Sequence, residues 1–345
     1  MNHKNMRDIN MSDSSLGSSE SWLELTKALG NDDYDGFKFF RSHPVMLRDV
    51  EATKYISLLQ NIDFLRNNET HYVTKSLNLI CKSDLVGAPL RTYTFKINNE
   101  LIAINPTTAR YAKNWANIID CFGFETIFQS TKITEIGAGY GGESKIFFDI
   151  ANSNNTMSQI GEYEIYDLVS SEKLITRFLK EFGYSIKFNK LKNDNQIKKN
   201  LKHLVISNGA LSEMRGELLK AYINKVVLNA NYGYFIVNFD THSKPFKGGI
   251  SNTEFFNILK KNGKNPRWLD ESIFLTLYDK GASKLIVFGA NDKLINSAIK
   301  IRKKPSLLKK FIYRIIELNH QKSISVVELI KKVLGSIYHK IVGNY

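Results

Sequence analysis

The stretch KITEIGAGYGG, Lys132 to Gly142, decides how the rest of the chain is read. A short strand-like run carries Glu135 near its end, a glycine-dense loop follows, and a helix-like segment opens at once behind it. Gly137, Gly139 and Gly142 are spaced as GxGxxG, where glycines allow a tight turn, close approach of backbone to a ligand and close packing of the next helix. A Walker-type phosphate cradle needs Lys followed by Ser or Thr after the loop, and that pair is absent. The loop therefore points to a nucleotide-like ligand held by backbone amides beside an acid.

Outward from this loop, strands and helices alternate. Apolar patterning predicts strands at 132–136, 163–167, 185–189, 203–207 and 233–238, with helices at 142–152, 170–182, 212–230 and 252–262. Such alternation implies parallel strands, right-handed crossovers and helices on both faces, with ligands beyond the carboxyl ends of the strands. The last pair breaks the pattern. SIFLTLYD, then Lys280-Gly281-Ala282, then KLIVFG are too close for a crossover helix and read as a hairpin. The expected fold is α/β: a doubly wound, Rossmann-like, mostly parallel seven-stranded sheet with an antiparallel last strand. Class I methyltransferases usually finish this way, whereas dinucleotide dehydrogenases continue in parallel.

Residues 1–20 are polar and Ser-rich, lack the apolar core of a secretory signal and read as a disordered leader. Residues 21–105 form a helical cap, with apolar residues at helical spacing in SWLELTKAL, FKFFRSHPVML and EATKYISLLQNIDFL, and end in a hairpin, YTFKI and ELIAI, turning at Asn98-Asn99. Asn105-Pro106-Thr107 starts the next helix and the nucleotide-fold domain, 106–290. The final unit, 291–345, holds two basic amphipathic stretches, SLLKKFIYRIIEL and ISVVELIKKVLGSIYHKIV.

Hydrophobic residues make up 43% of the 345 and charged residues 24%, the composition of a folded chain rather than a disordered one. No apolar run is long enough to span a bilayer, and cytosol is the expected location. Cys81 and Cys121 lie far apart without CxxC pairing and read as reduced structural thiols. The net charge of +14 calls for an acidic partner, but its position matters more than its size. From Ile301 onward ten Lys/Arg face two Glu, so +8 of the excess lies in the tail. That placement weakens a nucleic-acid reading, which would put charge around the cleft, and leaves packing on a partner or attachment to an anionic membrane surface, peripheral at the inner membrane, as the tail's roles.

S-adenosylmethionine carries a sulfonium, an ammonium, a carboxylate, a ribose diol and an adenine, and the spacing here supplies partners for them. Glu135 suits the ammonium; Gly137, Ala138 and Gly139 supply the backbone bed; Asp167 closes the second strand where an acid grips the ribose hydroxyls, unless it only caps the next helix as Ser170 or Ser171 would. Asp194 or Asn195 follows the third strand, towards the adenine amino group. After the fourth strand, Asn208 faces donor and acceptor, while Ser212 caps a helix whose first turn holds Glu213. His242 suits a general base for a hydroxyl acceptor, with Asp240 or Glu213 as substitutes; Asp240, Glu213 and Asp270 alternatively form a hard-cation site. Arg110 and Tyr111 approach the cofactor carboxylate or the acceptor from the cap side.

EIGAGYGGESKIF, YEIYDLVSSEKLITRFLKEFG, LVISNGALSEM and YINKVVLNANYGYFIVN, preceded by GAPLRTYTFKI and INPTTARYAKNW, together resemble the successive blocks of sugar O-methyltransferases encoded in bacterial surface-polysaccharide clusters. The resemblance runs from Gly87 to Asn238 and implies S-adenosylmethionine as cofactor, a sugar or glycan hydroxyl as acceptor, and binding roles for Glu135, Gly137, Gly139 and Asp167. Two positions depart from the family pattern: Val169 stands for its proline and Gly209 for its aromatic, the latter reshaping the acceptor pocket. The rivals are a nicotinamide-dependent reductase, a nucleic-acid methyltransferase, and a non-catalytic scaffold that anchors a polysaccharide-assembly partner through the basic tail.

Overall fold

A computed structural model describes residues 20–31, 35–69, 71–129, 131–189, 202–240, 249–269, 274–275, 283–302 and 312–313. The chain begins with α1 (Glu20–Leu29), a 3-10 stretch (Asp35–Ser42), α2 (Pro44–Asp49), α3 (Tyr55–Arg66) and two single turns, α4 (Tyr72–Lys75) and α5 (Leu77–Ile80). His43 and His71 accept the Val45 and Val73 amides, respectively, and so start α2 and α4. A hairpin follows, β1 (Tyr93–Ile97) and β2 (Glu100–Ile104), in the expected place. Asn98 and Asn99 both take positive φ, 51° and 65°, which a two-residue turn matched to strand twist requires.

Asn105 then caps α6 (Pro106–Phe122) by accepting the Thr107 amide at 2.7 Å, an interaction worth about 1 kcal/mol. Beyond a short α7 (Phe124–Phe128) come β3 (Thr131–Ile136), α8 (Gly142–Ser153), β4 (Glu162–Tyr166), α9 (Val169–Lys180), β5 (Lys187–Phe188), β6 (Lys202–Asn208), α10 (Ala210–Glu213), α11 (Gly216–Tyr222), β7 (Tyr232–Val237), α12 (Asn252–Lys261), β8 (Arg267–Leu269), β9 (Lys284–Phe288) and α13 (Asp292–Ile301). The seven strands β3 to β9 form one sheet ordered β5-β4-β3-β6-β7-β9-β8. β9 alone runs antiparallel to its neighbours. The order reverses between β3 and β6, which places the glycine loop at the switch point. This is the doubly wound α/β fold expected.

Apolar residues fill both faces. On one, Trp115 of α6 and Phe147 of α8 pack on Ile133, and the same core takes in Trp22, Phe40, Leu58 and Leu65 of the cap. α3 lies along α6 and α1 against α9, so the cap shares its core with the sheet. On the other face Leu219, Tyr222 and Phe255 cover Ile136, Val205 and Phe235.

Two expectations need correction. The helix expected over 212–230 is broken into α10, α11 and a π turn over Ile223–Val227, because Met214 and Arg215 are extended and Gly216 has φ 54°. KLIVF pairs antiparallel with β7 on one side and with Arg267–Leu269, rather than SIFLTLYD, on the other. Phe274 and Leu275 are buried outside any strand, and the remainder of that segment, with the turn at 280–282, lies outside the described residues. A three-residue edge strand behind Pro266 offers too little alternation to be seen. Of the expected tail stretches, Ile312 and Tyr313 alone are described, and the Tyr313 hydroxyl is bonded to Asp63 of α3.

Gly137 has φ 77°, and a Cβ there would overlap the Ala210 methyl; Gly263 has φ 72° with open space around it. Gly263→Ala should therefore cost only the backbone penalty of about 1–2 kcal/mol, and Gly137→Ala about 2–5 kcal/mol. Urea unfolding of the two variants measures the difference; equal losses would mean that the loop is not packed on α10.

Candidate active site

The glycine loop is tied to the sheet before any ligand is considered. Gly137 N–H donates to Tyr166 O at 2.9 Å, and Gly141 N–H to Ala138 O at 2.8 Å. Gly137, Gly139 and Gly141 take positive φ, whereas Gly142 is helical and serves close packing: a Cβ there would lie 2.6 Å from the Tyr111 ring. A Cβ added to Gly139 would lie 3.7 Å from the Val50 side chain, at the end of α2. The cap thus roofs the loop.

Four carboxylates gather around this loop. Glu135 is buried, 2% exposed, and its Oε2 accepts the Tyr163 hydroxyl at 2.8 Å. Burial, then the charge of Glu143, raise its carboxyl well above the ordinary range. Glu143, in the first turn of α8, accepts the Asn114 amide at 2.6 Å and the Asn208 amide at 3.2 Å on one oxygen. Burial raises its pKa too, against those amides and the charge of Arg110. Asp167 is partly exposed; Oδ2 accepts the Ala138 amide and Oδ1 the Leu168 amide, each at 2.6 Å. Enclosure pushes Asp167 up to about 6 even though these amides pull the other way. Glu213 keeps an exposed face yet stands between cap and sheet, and that enclosure, followed by the charges of Asp49 and Asp167, raises its carboxyl. Among the described residues none of the four has an ion-pair partner within 4 Å. Four acids held this way favour a cation.

The sequence-derived residues divide accordingly. Glu135, Gly137, Ala138, Gly139, Asp167 and Asn208 meet at the carboxyl ends of β3, β4 and β6. Asp167 does tie down the chain as one alternative had it, but to the loop and Leu168 rather than as a side-chain cap of α9. Ser170 bonds Thr26 instead. Arg110 Nη2 donates to Val50 O at 3.3 Å, which joins α6 to the roof. Tyr111 is buried and packs against Gly142. Ser212 does not cap α10: its hydroxyl accepts the Asn238 amide, and Ser207 takes the Leu211 amide. Asp240 is exposed and both its oxygens accept the Asn252 amide, so it braces the start of α12. His242, Asp194, Asn195 and Asp270 lie outside the described residues.

Glu143 and Asn114 were not anticipated. An acid in a first helical turn ordinarily faces solvent, and its burial here is invisible without the neighbouring helix. A usable signal existed in α6, where Arg110, Asn114 and Asn117 repeat at helical spacing as a polar stripe within an otherwise apolar face.

No protein-family model and no curated protein sequence matches the chain. Among solved structures it is similar to an O-methyltransferase family protein from Burkholderia thailandensis, with 13% identity and TM-score 0.35 over 53% of this chain and 59% of that one. It is likewise similar to the N-methyltransferase NodS from Bradyrhizobium japonicum, solved with S-adenosyl-L-homocysteine, with 10% identity and TM-score 0.34 over 53% of this chain and 86% of that one. Human N-acetylserotonin methyltransferase, solved with its methyl donor, gives 9% identity and TM-score 0.31 over 52% of this chain and 55% of that one. The chain thus spans 59% of the length of the first of these. The fold itself stands on strand order and register.

The raised pKa of Asp167 has a direct consequence. With about 6 in the folded protein and about 3.9 unfolded, the unfolded chain gives up its proton first as pH rises, so Asp167's contribution to stability is present below about pH 4 and lost by about pH 6. Urea unfolding of ligand-free protein across that window should show the decline, and Asp167→Asn should remove this residue's share; an unchanged slope in the variant would contradict the assignment.

Proposed function

We propose that this protein is an S-adenosylmethionine-dependent O-methyltransferase acting on a sugar hydroxyl, in the making of a surface polysaccharide. The observation that carries the cofactor is the set of carboxylates, Glu135, Glu143, Asp167 and Glu213, around a glycine loop at the switch point, without a cation bonded to them. A sulfonium nucleoside with an ammonium group supplies the missing positive charge and a diol. A pyrophosphate would meet Glu135 and Glu143 where a dinucleotide site needs donors, which weighs against the reductase. The sugar acceptor rests on the family resemblance of the sequence blocks.

When bound, the cofactor supplies an electrophilic methyl group on sulfur. The chain's own part is binding and alignment. With that cofactor bound, Glu135 and Glu143 would hold its ammonium, the Ala138 and Gly139 backbone would support the nucleoside, and Asp167 would accept from the ribose diol while keeping its amide bonds to the loop. Val50 stands near Gly139 on the cap side of the loop, and burial of Glu135 and Glu143 below it places those charges in a medium of low dielectric. Asn208 orients the acceptor. In this reading the acceptor's hydroxyl proton passes to Glu213 or to His242 as base. Alignment of acceptor oxygen with the methyl supplies most of the rate, and proton removal assists.

Incubation with labelled methyl donor and fractionated surface glycans or nucleotide sugars tests this reading. Label should enter a glycan fraction, and Asp167→Ala should lower transfer roughly 10- to 100-fold, the loss of one or two hydrogen bonds to a charged group. Label in RNA alone, or in no acceptor, would contradict it. Glu143→Gln keeps the shape and removes a charge, so donor affinity should fall roughly tenfold while the melting temperature holds or rises.

A further inference from the structure

We infer that Arg41 is a positioning residue that fixes the roof of the site over the glycine loop; the nature of the ligand beneath that roof rests on the function proposed above. Arg41 lies in the 3-10 stretch of the cap and is fully buried. Its Nε donates to Glu51 Oε1 at 2.6 Å, Nη1 to Asp84 Oδ1 at 2.8 Å and to Ser83 O at 2.9 Å, and Nη2 to Thr108 Oγ1 at 3.3 Å. The guanidinium carbon stands 5.2 Å from the centre of the Tyr140 ring.

Each partner leads to a different wall of the site. Glu51 directly follows Val50, the residue that stands near Gly139 and whose carbonyl takes Arg110. Asp84 also accepts the Asn105 amide at 2.7 Å and the Thr108 hydroxyl at 2.6 Å, so it fixes the start of α6, the helix that presents Arg110 and Asn114. Tyr140 belongs to the glycine loop itself, and its ring is wedged edge-on between Phe40 and Phe178, with centroids at 5.4 and 4.9 Å. One guanidinium therefore sets the roof, the side wall and the loop relative to one another.

Stability does not explain such a cluster. Burying three charges costs solvation that their attraction roughly returns, and neutral replacements of similar shape often fold as well. What the guanidinium adds is direction: a planar fork with donors at fixed angles, which an ammonium lacks. A roof displaced by about 1 Å is enough to weaken a site greatly without contact with the ligand.

Two variants of the full chain separate positioning from folding: Arg41→Lys, which keeps the charge and loses the fork, and Arg41→Met/Glu51→Gln/Asp84→Asn, which removes the charges. Hydrogen exchange in ligand-free protein should quicken about tenfold in segments 49–51 and 137–141 of both, with β3 and β6 unchanged. S-adenosylhomocysteine should bind about tenfold more weakly to both, and KM for the methyl donor should rise while kcat stays near wild type. The neutral variant should melt close to wild type. Wild-type exchange in both segments together with wild-type affinity overturns the inference, and so does failure of both variants to fold, since that makes the cluster a stability element. If the wild-type protein binds no S-adenosylhomocysteine, the proposed function fails, and the exchange measurement alone decides the role of Arg41.

Discussion

The hydrogen bond from the Ala138 amide to Asp167 is the constraint on which the site depends. With Gly137 N–H on Tyr166 O, it ties the glycine loop to the end of the neighbouring strand, so the loop's shape is set by β4 as much as by its own glycines. A left-handed Gly137 pressed against Ala210 leaves that loop little freedom. The carboxylate that holds the loop is also the one proposed to accept from the ribose diol. Position and chemistry are carried by the same side chain.

Placement of acids around the loop gives the site its sign. In most folded proteins a buried carboxylate finds an arginine or lysine, and this chain does so elsewhere: Glu51 and Asp84 on Arg41, Asp149 on Lys145, Asp120 on Arg302. Glu135 and Glu143 have instead a tyrosine hydroxyl and two amides. Such donors satisfy the oxygens without cancelling the charge, which leaves a cost that a positive ligand removes on binding. More than half of the chain's basic surplus falls in the sequence from Ile301 onward.

Much of the fold was legible from residues 132–142 outward, because parallel strands read as apolar runs and each is followed by a patterned helix. The hairpin turn at Asn98-Asn99 and the cap at Asn105 were legible for the same local reason. What escaped were features set by distant partners. Arg215-Gly216 breaks a helix whose apolar pattern runs on past it, and β8 is too short to show a period. In the candidate site, the nearness of Glu135, Asp167 and Asn208 to the glycine loop was legible because they lie at the ends of strands at the switch point. Glu143 was missed because its burial depends on α6, and the packing of Tyr111 on Gly142 was not legible because neither its sequence nor its helix shows that Gly142 would sit against its ring.

The proposed function requires the glycine-loop site to accept a cationic sulfonium nucleoside and refuse an anionic dinucleotide. Calorimetric titration of the full chain, in parallel, with S-adenosylmethionine and with NADH measures that preference directly. The account predicts saturable binding of the first and none of the second. Saturable binding of NADH with none of S-adenosylmethionine would contradict it.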